Sequence, residues 1–319
     1  MIEGNAPFST ADPVTIGHEA VGEVVEMGKD AKGFSIGDKI GFLNGLRACW
    51  NCEGCDRHYG FCQGGKFQMQ GFSCDGFMQE YCLVDPKAAF VLPDGIDVVR
   101  TAPLCCAGIT AYHGVKKAQL QKGQWLAVVG CGGLGQLGAL LKQPAGSSGD
   151  LLLTKNLALR YAKAMGLKVI AIDIDDKVLA VAEKAGVEHT FNTRSTPDTV
   201  DKIKKITGGG ADSVVVFTAV KAGYDLAPKL IKVGRRLVCV GCPPGQIGFD
   251  AVELALERFT VHGANNHATP EMSTECAEFT KANKIDSPVE LFKIDQIGEM
   301  IEMMEAGKMG GKRLVVDFS

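Results

Sequence analysis

A chain of 319 residues has room for two domains, each with its own core. Its composition, 46% hydrophobic and 22% charged with a net charge of −3, excludes a disordered chain and offers no electrostatic attraction to nucleic acid or an anionic membrane. Apolar runs such as WLAVVG are strand-length and far short of a membrane span, and the opening MIEGNAPFSTADP lacks the basic and apolar segments of a signal peptide. The expectation is a cytoplasmic protein whose 12 cysteines are free or metal-bound rather than paired in disulfides.

Residues 14–45 read as short strands: AVGEVVEMG alternates, and KGFSIGDKIGFL supplies a Gly-Asp turn before the next strand. A loop follows, CWNCEGCDRHYGFC, with Cys49, Cys52, Cys55 and Cys62 in a C-x2-C-x2-C-x6-C spacing. Such short steps fold back so that several sulfurs reach one centre, and four thiolates complete a structural zinc shell. An iron–sulfur cluster is the next choice, and a redox pair would not need the third and fourth thiol. FMQEYCLVD is expected to be another strand, which makes the first part β-rich.

The pattern changes near residue 100. TAPLCCAGITAYHGVKKAQL carries helical spacing after a proline, and the strand WLAVVG then enters Gly130-Cys-Gly132-Gly133-Leu134-Gly135. Glycines at a strand-to-helix turn let backbone amides approach a pyrophosphate. KVIAIDID is a strand ending at Asp173, whose carboxylate suits the ribose hydroxyls of NAD and would repel the 2′-phosphate of NADP; the competing role is a helix N-cap. Helix DDKVLAVAEKAG, strand DSVVVFTAV, helix GYDLAPKLIKVG and strand RRLVCVGCP continue the alternation, which implies a parallel sheet covered by helices. Helix IDQIGEMIEMMEAGK and strand KRLVVDF close the chain. Between Gly135 and Asp173 lie 37 residues, against a usual interval of about 20. The surplus falls in 137–156, where Pro144 and AGSSGD break a helix; it reads as a surface insertion or, more simply, as an accident of gene structure such as a translated intron.

The set GHEAVGEVVEMG, GDKIGF, the four-cysteine loop, APLCCAGITAYHGVK, VVGCGGLGQLG, VIAIDID, LVCVGCPPG and EAGKMGGKRLVVDF resembles the zinc-dependent medium-chain alcohol dehydrogenases, most of all their fungal and yeast-type members. The resemblance runs through nearly the whole chain. It implies an α/β protein with a doubly wound Rossmann domain at 108–287, carrying the insertion near 137–156. A β-rich, GroES-like catalytic domain would be built from 1–107 and 288–319. It implies two zinc ions and NAD, a small alcohol or aldehyde as substrate, no nucleic-acid or membrane partner, and a homo-oligomer, dimer or tetramer. His18, Glu19 and Cys106 would hold the catalytic zinc, and Cys49, Cys52, Cys55 and Cys62 the structural one. Thr110, Gly130, Gly132, Gly133, Leu134, Gly135, Asp173, Lys177, Val240 and Arg313 would contact the cofactor, with Lys312 competing with Arg313 for the phosphates. Cys105 takes an apolar place in the pattern, His113 is expected at the surface, and His267 has no assigned role.

Two departures stand out. The loop before Cys62 is one residue shorter than is common. No cysteine precedes His18, where the family places its first catalytic zinc ligand, so the resemblance implies a truncated start and an impaired enzyme. Two other readings are a zinc-free NADPH-dependent quinone or enone reductase of the same superfamily, and a non-catalytic NAD-binding remnant.

Overall fold

The computed structural model describes residues 11–131, 149–306, 308, 309 and 312–318, with backbone alone for 149–156. The described residues form two compact units. One comprises the chain up to Ile109, Asn266–Met303 and the segment from Lys312; the other comprises Thr110–Asn265 and the segment from Met304.

In the first unit, strands β1 (Ala20–Glu23), β2 (Lys39–Phe42) and β5 (Ala89–Val91) form an antiparallel sheet in the order β1-β2-β5. Alternation puts Ile40 and Phe42 on one face, where they pack with Val24, Phe77 and Ala89, and Phe77 meets Phe42 edge-on at 4.8 Å. Two further pairs belong to this unit: β3 (Gly45–Leu46) with β4 (Gln68–Met69), antiparallel, and β12 (Val289–Phe292) with β13 (Arg313–Val316), parallel. The second pair carries Arg313 into the unit. FMQEYCLVD, expected as a strand, is not one. The N–H groups of Gly76, Phe77 and Met78 donate to Thr15, Gly17 and Ile16 carbonyls. No ladder runs on, because Gly17 (φ +100°) turns its segment out of the pleat, and a Cβ there would lie 2.9 Å from Met78 Cγ.

The second unit holds a six-stranded parallel sheet. It contains β6 (Trp125–Val129), β7 (Lys168–Asp173), β8 (His189–Asn192), β9 (Ala211–Val216), β10 (Ile231–Cys239) and β11 (Phe259–Gly263), in the order β11-β10-β9-β6-β7-β8. The central strands β9, β6 and β7 are almost wholly buried, as a sheet covered on both faces requires. Strand order reverses between β6 and β9, which creates a crevice at their C-terminal ends. This is the expected α/β class with a Rossmann-type sheet. Edge strands β8 and β11 add to the four strands legible in the sequence. The reading of 137–156 as an insertion falls largely outside the described residues; a helix spans Gly149–Ala164 and leads into β7. His113, expected at the surface, is buried, because Ala111, Tyr112 and Val115 of the helix Ala107–Lys117 are buried with it. Among the described residues no helix is long and apolar enough to cross a membrane.

Candidate functional site

The four thiols of the cysteine loop converge, with all sulfurs within 4.8 Å of one another and none in a disulfide. Cys52 caps the helix Glu53–Arg57, and its Sγ accepts from Cys55 N–H at 3.4 Å and Gln63 N–H at 3.3 Å. Cys62 Sγ accepts from Cys49 N–H at 3.2 Å and Gly64 N–H at 3.4 Å. The Cys49 and Cys55 sulfurs stand 3.8 Å apart. A zinc–sulfur bond of about 2.3 Å gives a tetrahedral edge of about 3.8 Å, so the spacing fits one zinc ion. Amides from Gln63 and Cys55 pull the Cys52 thiol down to about 6, while burial pushes Cys55 up to about 12. Packed this closely, the thiols cannot all ionise by themselves; a divalent cation would hold all four as thiolates.

A second donor cluster lies in the same unit. His18 and Glu19 immediately precede β1, and Cys106 follows the 3₁₀ turn Ala102–Cys105, yet one ligand atom from each lies within 4.8 Å of the others. Glu19 is held from two sides: its Oε1 accepts from Ala107 N–H at 3.0 Å and from Arg313 Nη2 at 2.7 Å. The His18 ring packs on Phe72 at 5.3 Å. Burial lowers its pKa against the opposing pull of Glu19, which favours the neutral imidazole a metal needs. Burial likewise pushes the Cys106 thiol up, with the Glu19 carboxylate adding to the effect, so a thiolate there calls for a cation. Asn266 Nδ2 donates to Cys106 Sγ at 3.7 Å. Nitrogen, oxygen and sulfur from three residues match a zinc site that keeps a position for substrate. Cys105 is fully buried and turned into the core.

In the second unit, β6 ends at Gly130, whose N–H donates to Ile172 O at 2.7 Å. At φ +82° a Cβ on Gly130 would lie 2.6 Å from Thr218 Cβ, so only glycine lets the chain pass the end of β9. Gly132, Gly133, Leu134 and Gly135 lie outside the described residues. Asp173 closes β7, and its Oδ1 accepts from Ile174 N–H at 2.7 Å and Asp175 N–H at 3.2 Å. The following helix is capped by Asp175, through Lys177 N–H at 2.9 Å, and not by Asp173. Lys177 is exposed in the first turn of that helix. With Arg194, which the sequence reading missed, it lines a shallow hollow beside Asp175 and Asp176. Val240 follows β10, with its N–H on Val216 O at 2.9 Å, and Thr110 is half-buried in the helix Ala107–Lys117. Arg313 stands on Glu19 in the first unit, and the exposed Lys312 pairs with Glu290 at 3.0 Å.

Two donor clusters in one unit with a small antiparallel sheet, and in the other unit a parallel sheet with a carboxylate at a strand end, define the zinc-dependent dehydrogenase class. Comparison with known proteins agrees. Residues 1–94 match the alcohol dehydrogenase GroES-like domain, and residues 156–282 match the zinc-binding dehydrogenase domain. Over 319 residues the chain is 30% identical to an alcohol dehydrogenase of Moraxella sp. (strain TAE123), covering all of this chain and 87% of that protein. The chain belongs to the zinc-binding alcohol dehydrogenase family of oxidoreductases. Among solved structures, the alcohol dehydrogenase of the archaeon Aeropyrum pernix superposes with a TM-score of 0.74 at 27% identity, covering 96% of this chain and 83% of that one. A zinc-binding dehydrogenase from Sinorhizobium meliloti 1021, solved with NADP, shares the fold with a TM-score of 0.75 at 22% identity, covering 97% and 85%.

Proposed function

We propose that the chain is an NAD-dependent alcohol dehydrogenase that transfers a hydride between a small alcohol and the nicotinamide ring, with one zinc held by His18, Glu19 and Cys106 and a second by Cys49, Cys52, Cys55 and Cys62. The observation that carries this reading is the convergence of His18 and Glu19 with Cys106, 87 positions further along the chain, on one point in the first unit. Bound there, zinc would supply the Lewis acidity that lowers the pKa of an alcohol. His18, neutral because it is buried, offers a lone pair, and Cys106 offers the anionic sulfur. Arg313 and the Ala107 amide fix the Glu19 carboxylate beside them. Hydride transfer itself is the chemistry of the nicotinamide, which the protein must orient. Asp173 supports NAD over NADP, because a carboxylate at the end of β7 accepts hydrogen bonds from ribose hydroxyls and repels a phosphate. A zinc-free reductase would have no use for two converging donor sets. The reading includes a homo-oligomer, and a reducing compartment consistent with 12 cysteines of which none lies in a disulfide.

The test is metal analysis of the purified protein together with NADH formation over primary, secondary and aromatic alcohols. Two zinc ions per chain, falling to one in His18→Ala with loss of NADH formation, are expected. Zinc content unchanged by His18→Ala, or turnover supported by NADPH in a zinc-free protein, would refute the proposal.

A further inference from the structure

Cys106 is met from behind by an amide that the sequence does not mark. Asn266 Nδ2 donates to Cys106 Sγ at 3.7 Å. The same side chain acts electrostatically on His58 and Tyr59, which lie between Cys55 and Cys62 in the cysteine loop, favouring a proton on the first and opposing one on the second. The direction of each interaction follows from the partners already taken. His58 Nδ1 accepts from Gly60 N–H at 2.9 Å, so the neutral ring carries its proton on Nε2. Burial lowers the His58 pKa and keeps the ring in that neutral form. A ring in that tautomer favours the amide oxygen toward it, in keeping with Nδ2 being turned to the sulfur. Tyr59, fully buried, donates its hydroxyl proton to Asn44 Oδ1 at 2.9 Å, so toward the Asn266 amide it can act only as an acceptor. The two rings are themselves packed: His58 against Tyr59 at 4.5 Å, and both against His267 at 5.3 Å.

We infer that Asn266 is a positioning residue for Cys106: its amide, oriented by His58 and Tyr59, holds the sulfur by a hydrogen bond and ties the His18–Glu19–Cys106 donor set to the four-cysteine loop. An N–H directed at a thiolate stabilises the anion and lowers the energy of its lone pairs. Partners of this kind behind a metal ligand change metal affinity by about 10- to 100-fold. The inference rests on the proposed reading of Cys106 as a metal donor, and the test separates the two.

Cobalt(II) replaces zinc as the probe, because sulfur-to-cobalt charge transfer reports on the lone pairs of the ligating thiolate. Subtracting the cobalt spectrum of Cys106→Ser from that of the native chain isolates the Cys106 band. In Asn266→Ala this band should move to lower energy, and one cobalt per chain should be lost to chelator at about 10- to 100-fold lower concentration. His58→Phe, which keeps a ring but cannot orient the amide, should shift the band in the same direction by less. A merely structural role would weaken folding without moving the band. A native Cys106 band that neither variant shifts overturns the inference and leaves the metal reading standing; the same holds if Asn266→Ala fails to fold and His58→Phe leaves the band in place. Absence of any Cys106-dependent band in the native protein overturns both.

Discussion

Arg313 and Glu19 form a contact whose energy can be worked out from their surroundings. Their side chains are only 11% and 10% exposed, and Arg313 Nη2 meets Glu19 Oε1 at 2.7 Å. That oxygen also accepts from Ala107 N–H at 3.0 Å. Replacing Arg313 by Met keeps volume and removes the charge, leaving on the buried Oε1 only the neutral Ala107 N–H. Breaking one side of such a pair costs about 3–5 kcal/mol. Glu19→Gln keeps an oxygen for the Ala107 amide but takes from the guanidinium the anion at 2.7 Å, and should cost a similar amount. The double variant removes both charges, so its cost should fall short of the sum by about 2–3 kcal/mol. The chain has two tryptophans, and Trp50 belongs to the first unit while Trp125 lies in β6 of the second. In a Trp125→Phe background, fluorescence of Trp50 during urea unfolding at fixed zinc concentration therefore follows the unit that holds the pair. Additivity of the two single costs within about 0.5 kcal/mol would refute the reasoning, since it would mean that the charges do not feel each other.

Two further substitutions probe the second unit. Asp173→Ser removes the carboxylate at the end of β7 and leaves Lys177 and Arg194 close by; the ratio of kcat/KM for NAD over NADP should fall by about ten- to a hundredfold, the value of a hydrogen bond to a charged group, and steady-state kinetics with both cofactors read it directly. Glu188 is coupled to the fold through pH. Burial opposes its ionisation, but the Lys163 ammonium and the Val169 N–H at 2.6 Å outweigh that and hold its carboxyl below the ordinary value. A lowered folded-state pKa contributes stability that is present above the unfolded value of about 4.3 and is lost as pH falls through the folded one. Glu188→Gln should accordingly cost about 1 kcal/mol near neutrality, and chemical denaturation should show that difference closing as pH drops below about 4.

How much of this could be read from the residues follows from how far apart its parts lie in the chain. The cysteine loop is legible because one ion must be reached by donors at most 13 positions apart, so chemistry constrains the local spacing itself. The central strands β6, β7 and β9 are legible because burial on both faces demands continuous apolar runs. His18 and Cys106 are legible only through a family pattern, since nothing local says that a histidine before β1 and a cysteine after a 3₁₀ turn will meet. Asn266 is illegible altogether: it stands 160 positions from the sulfur it touches, and asparagine is common in loops. FMQEYCLVD misleads for a different reason. Its alternation is that of a strand, but a ladder needs a regular partner, and the segment it faces is turned aside at Gly17.

The neighbours Cys105 and Cys106 show how the fold divides one residue type between two tasks. Both thiols have their pKa raised, first by burial, and neither differs from the other in chemistry. The 3₁₀ turn Ala102–Cys105 places the first sulfur wholly inside the core of the first unit. At Cys106 the backbone leaves that turn, with φ −140° and ψ −67°, before the helix Ala107–Lys117 begins, and the second sulfur swings to His18 and Glu19. The same step brings Ala107 N–H, an orphan donor of the helix start, onto Glu19 Oε1. One residue of backbone therefore turns a thiol toward the donor set and supplies the amide that steadies the neighbouring carboxylate, so a one-residue insertion at Cys106 should remove both contacts together.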